Sequence, residues 1–119
     1  MSIKSTRKLE KTLSRKTLSS KEVQEIAEYF CSYFLLKSIP IEMSHRRMKT
    51  TLGRYFIDNN RIVLYKTIKV NNIATLLHEL AHHLGYVRCG KANHRREFHI
   101  AHVDSLNWYY SIGKWMGNG

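Results

Sequence analysis

The chain has 119 residues, 43% of them hydrophobic and 24% charged, with a formal net charge of +11 at pH 7. That length supports one modest core but not two; no apolar run reaches the ~18 residues a membrane helix needs, and the two cysteines, Cys31 and Cys89, are too few for a disulfide framework or a four-cysteine zinc site. These limits predict a single domain without membrane contact in a reducing, cytoplasmic setting, and the charge favours a partner rich in phosphate or carboxylate, DNA first among them.

Residues 1–18 carry Lys4, Arg7, Lys8, Lys11, Arg15 and Lys16 among sparse apolar positions, which predicts a basic arm that is flexible or weakly helical. The fold is expected to occupy 19–119 as one domain. Ser19 followed three residues later by Glu22 is a capping box. After it, Val23, Ile26, Ala27, Phe30 and Phe34 recur at three- and four-residue steps, the mark of a helix with one apolar face ending near Lys37.

Pro40 interrupts that period, and the next segment changes to β-branched and aromatic residues divided by Gly53 and by Asp58-Asn59-Asn60. Three short strands are expected, about 39–45, 53–57 and 62–66. The last two should form a hairpin, because Asp and Asn tolerate the backbone of a tight reversal. A second helix then runs from an Asn71 or Asn72 cap, with Ile73, Leu76, Leu77, Leu80 and Leu84 along one side, and Gly85 is a suitable stop. A third helix, capped by Asn93, carries Phe98, Ala101, Leu106, Tyr109 and Ile112.

Six of the chain's seven histidines fall between His78 and His102. On a helix, residues four apart differ by only about 40° in direction, so His78 and His82 of His78-Glu79-Leu80-Ala81-His82 project from one side and can grip one ion. Zinc suits them, since it accepts neutral imidazole nitrogen and tolerates distorted tetrahedra. Glu79 stands slightly too far round to bind with the pair, and is placed to act as general base on water. A catalytic zinc needs a third protein ligand. Arg88, where one zinc-peptidase pattern has its ligand, stays protonated and cannot coordinate. Glu97, His94, His99 and His102 remain.

From this point the chain resembles the SprT-like zinc metallopeptidases, the group that includes the Spartan proteases acting on proteins crosslinked to DNA. Their active-site helix is followed by a segment of the form His-Gly-x-Glu-(Trp or Phe), and "HRREF" matches it at His94, Glu97 and Phe98, with Arg95 in the glycine's place. The resemblance spans about 41–110 and lacks the C-terminal zinc ribbon of some members. It implies an α+β zincin-like domain: an N-terminal helix, a short three-stranded antiparallel sheet, the HExxH helix and a C-terminal helix. It implies one zinc per chain on His78, His82 and His94, with Glu79 as catalytic base and protein or peptide as substrate. The residues themselves agree on His94, which falls at the expected first turn of the last helix and can point back across the loop.

Tyr86, His102, Arg95 or Arg96 could donate to a developing oxyanion. His83 reads as a surface residue, His99 as exposed or a donor to a ligand, His102 as lining the cleft, and His45 as structural. Two alternatives stay open: a gluzincin-type regulatory protease that cleaves a repressor, with Glu97 replacing His94, and a basic nucleic-acid-binding module whose zinc is structural.

Overall fold

The computed structural model describes residues 19–48, 50–66, 73–90 and 96–115. The expected arm over 1–18, the Asn71/Asn72 and Asn93 caps and His94 lie outside the described residues. The element order is α1 (Ser20–Tyr33), β1 (Ile41–Arg47), β2 (Gly53–Phe56), β3 (Arg61–Lys66), α2 (Ile73–Cys89) and α3 (Arg96–Trp115).

The capping box starts α1: the Glu22 N–H donates to Ser19 Oγ and the Ser19 N–H to Glu22 Oε1, both at 3.2 Å. Val23, Ala27 and Phe30 make its buried face. The helix stops at Tyr33, short of Lys37, because the chain turns into a Schellman arrangement there. The Leu36 N–H reaches the Cys31 carbonyl at 2.8 Å, the Leu35 N–H reaches that of Ser32 at 3.3 Å, and Leu35 adopts φ 57°.

The sheet corrects the all-antiparallel expectation. Its order is β1-β3-β2, with β2 and β3 antiparallel as the hairpin predicts and β1 parallel to β3. The physical reason lies in β3: Ile62, Val63 and Leu64 are buried in succession, which suits a central strand paired on both edges better than an edge strand with one wet face. β1 therefore flanks β3 rather than extending the hairpin from the β2 side.

Ile62 and Leu64 join Phe30 and Ile39, Leu76, Leu77, Leu80 and Leu84 of the following helix, and Leu106 in one core. Neighbouring strand residues point to opposite faces, so Arg61, Val63 and Tyr65 turn the other way. α2 passes Gly85 without a break and ends at Gly90, whose φ of 76° and N–H to the Tyr86 carbonyl at 2.7 Å form the actual cap. No helix among the described residues is long and apolar enough to cross a membrane.

Leu35 is 92% exposed and holds a left-handed backbone with no packing to compensate. A side chain costs about 1–2 kcal/mol there, part of which glycine returns as unfolded-chain entropy. Leu35→Gly should therefore stabilise the fold by about 0.5–1 kcal/mol, read as a higher urea midpoint with an unchanged slope.

Candidate metal-binding and catalytic site

α2 is covered on two sides, and each side takes a different pair of polar residues. Towards the sheet lie Glu79 and His83, one turn apart. Towards α3 lie His78 and His82, also one turn apart, with ring centroids 5.1 Å from each other. The i and i+4 spacing that brings each pair onto one face is the helical repeat itself.

The Glu79 side depends on β2. An added Cβ at Gly53 would stand 3.1 Å from Glu79 Cγ, from Leu64 Cδ2 and from Thr75 Cγ2. Only a glycine lets strand and helix approach that closely. The Tyr65 N–H donates to the Leu52 carbonyl at 2.9 Å, so by antiparallel alternation Arg54 also turns its backbone groups to β3 while Gly53 and Tyr55 turn theirs to the open edge. The Tyr55 N–H on that edge donates to the Glu79 carboxylate.

Burial dominates this carboxylate. Glu79 is 7% exposed, and loss of hydration raises its pKa to about 7, the Tyr55 N–H pulling the other way. A base poised near neutral pH can take a proton from water and hand it on.

Tyr55 makes a second link, its Oη 3.1 Å from His83 Nδ1. Burial lowers the His83 pKa, against an opposing contribution from the Lys37 carbonyl, and burial with the nearby Tyr86 raises that of Tyr55. Both groups are thus held neutral, and they share this one hydrogen bond. This corrects the reading of His83 as a surface residue: it is 3% exposed, because α2 is covered by the sheet as well as by α3.

On the α3 side, Phe98 sits among the histidines. Its ring centroid is 4.3 Å from that of His82, 5.0 Å from His78 and 5.3 Å from His102. His102 is buried, with its ring 5.4 Å from that of His78. Glu97 and His99 are exposed, while α3 presents Phe98 and His102 to the pair. His45 is exposed on β1 and takes no part in this site.

The donor chemistry fits a borderline-soft divalent ion at the His78–His82 pair. Among the described residues, no group of three His, Cys, Asp or Glu stands where it could hold a metal ion. The structure brings His78 and His82 together beside Phe98 and sets Glu79 against β2 with Gly53 and Tyr55, which, like His83, sequence reasoning left out of the site. Gly53, which divides the strand segments in the sequence, also opens a strand, a position where glycine marks close backbone approach.

The model of the SprT-like family matches residues 20–109, from the first residue of α1 to late in α3. No curated protein and no solved structure matches the chain significantly.

The raised Glu79 pKa carries a sign for the metal-free protein. The folded state binds this proton more tightly than the unfolded state, so the contribution is fully present below the unfolded value near 4.5 and is lost as pH rises through about 7. Glu79→Gln removes the buried charge. The metal-free variant should match wild type at pH 4 and exceed it by a few kcal/mol at pH 8, as measured by chemical denaturation at both pH values.

Proposed function

This chain belongs to the SprT-like family, and from that premise we propose that it is a zinc-dependent metallopeptidase hydrolysing peptide bonds. The single observation carrying the proposal is Glu79: a buried carboxylate held near neutral pKa, one residue and so about 100° round the helix from a histidine pair. A surface glutamate has no reason to be enclosed by a glycine and a strand-edge N–H. A general base does.

In this reading His78, His82 and His94 hold the zinc. His94 stands four residues before Phe98 in the chain, and Phe98 lies against both His78 and His82. The ion would supply Lewis acidity, polarising the scissile carbonyl and acidifying water. Glu79 takes a proton from the attacking water and returns it to the leaving amine. The Tyr55 N–H keeps the carboxylate aimed, and the Tyr55–His83 bond keeps β2 on α2 while that proton moves.

The peptide lies extended along the outer edge of β2, where the backbone groups of Gly53 and the Tyr55 carbonyl face outward, the Tyr55 N–H being held by Glu79. Such pairing reads main chain more than side chains and suits substrates of varied sequence. The exposure of Glu97 favours His94 over a gluzincin-type ligand set. A closed structural zinc site would give no role to Glu79.

Glu79→Gln separates binding from chemistry. The variant should keep the zinc content of wild type while its hydrolysis of a fluorescein-labelled unfolded protein falls about 10²–10⁴-fold, the range a positioned acid–base group contributes. Unchanged hydrolysis would remove Glu79 from the mechanism.

A further inference from the structure

The sheet has two edges, and the chain treats them differently. β1 and β2 flank β3 on opposite sides, and among the described residues no further strand covers the outer side of either. In a parallel ladder, alternate residues bond to the neighbour. The Ile62 N–H donates to the Pro40 carbonyl at 3.1 Å, so with Ile41 and Ile62 in register, Pro40, Glu42 and Ser44 turn their backbone groups towards β3. The Ile39 carbonyl and the backbone groups of Ile41 and Met43 therefore turn outward.

Gln24 of α1 meets that outward side. Its Nε2 donates to the Ile39 carbonyl at 3.4 Å and its Oε1 accepts from the Ile41 N–H at 3.1 Å. A residue of a parallel neighbour makes this same pair of bonds, its N–H to the carbonyl on one side and its carbonyl to the N–H two residues on. Ile62 is placed to do so with Pro40 and Glu42 on the inner side. Because a carboxamide carries both a donor and an acceptor, one glutamine side chain stands in for a strand residue.

The far end of β1 is blunted by other means. Pairing moves from Ser44↔Tyr65 to Arg47↔Lys66, which leaves His45 and Arg46 outside it, and the Arg46 N–H donates to Ser44 Oγ at 3.1 Å. Such a bulge bends an edge away from an incoming strand, and the exposed Arg46 adds charge there. Between the glutamine and the bulge the outward edge is reduced to the Ile41 carbonyl and Met43. β2, by contrast, stays in register with β3 from Gly53 to Phe56, and Gly53 has no side chain to obstruct its outward groups.

We propose that Gln24 is an edge guard, which closes β1 to strand addition and so directs an extended peptide to β2, the edge beside Glu79. Water at an open edge would satisfy Ile39 and Ile41 as well, but water yields to an incoming strand, whereas a tethered amide has to be displaced. The direction of the peptide rests on the peptidase reading. The closure of β1 needs neither zinc nor hydrolysis, so the two fail separately.

The test is amide hydrogen exchange of the full chain, read residue by residue by NMR, with a reduced and alkylated unfolded protein as the probe. All chains carry Glu79→Gln, so that the probe stays uncut, and are compared with Gln24 present, with Gln24→Ala, and with the milder Gln24→Glu, which keeps the acceptor for Ile41 and loses the donor to Ile39. Without probe, the Ile41 amide should exchange slowly beside Gln24 and about five-fold faster or more in Gln24→Ala, the protection that one hydrogen bond supplies, with far-UV circular dichroism unchanged. With probe, exchange of the Met43 amide should stay the same while Gln24 is present and slow several-fold once it is replaced. Fast exchange at Ile41 beside Gln24, probe protection of Met43 with Gln24 in place, or no protection of Met43 in either Gln24 variant would each overturn the proposal. Protection of Met43 in a Gln24 variant without protection of Gly53 in any chain would uphold the guard and remove β2 as the substrate edge.

Discussion

The placement of one carboxylate inside the protein constrains everything around it. Glu79 sits between α2 and the start of β2, where removing it from water disfavours its charged form by several kcal/mol unless donors approach. The approach is possible because Gly53 has no side chain and because β2 is an edge strand with outward N–H groups, one of which, Tyr55, reaches the carboxylate. Had β2 been the central strand, that N–H would be spent on a neighbour. The mixed topology of the sheet is therefore tied to the site, since placing β3 in the middle leaves β2 beside the helix with its edge open.

The same helix is pressed from the other side by α3. Phe98 packs against the rings of His78 and His82, which restricts their rotation. A buried carboxylate against the sheet and a histidine pair against α3 come from neighbouring residues because a helix turns 100° at each step. His83 and Tyr55 then join helix to strand by a hydrogen bond that both neutral groups can sustain.

Much of this was legible in the residues. The Ser19–Glu22 box, the apolar step of α1 and the Asp58-Asn59-Asn60 reversal are local signals, and local geometry answered them. The HExxH spacing fixed the directions of His78 and His82 for the same reason. What escaped was long-range. The direction in which β1 pairs is set by which strand offers the more continuous apolar surface, and the run Ile62-Val63-Leu64 carried that information only in comparison with β1 and β2. His83 looked exposed because a single apolar stripe was assigned to α2, whereas the helix is covered twice. Gly85 looked like a terminus because glycine ends many helices; here it lies where α3 passes, with Phe98 Cα 3.6 Å from where its Cβ would be.

In the proposed function the His78–His82 pair and His94 hold one zinc ion. Zinc per chain, measured by elemental mass spectrometry on purified wild type and on His78→Ala, His94→Ala and Glu97→Ala, tests it most directly. One zinc in wild type and in the Glu97 variant, with loss in both histidine variants, is the predicted result. Retention of zinc without His78, or no zinc in wild type after reconstitution, would contradict it.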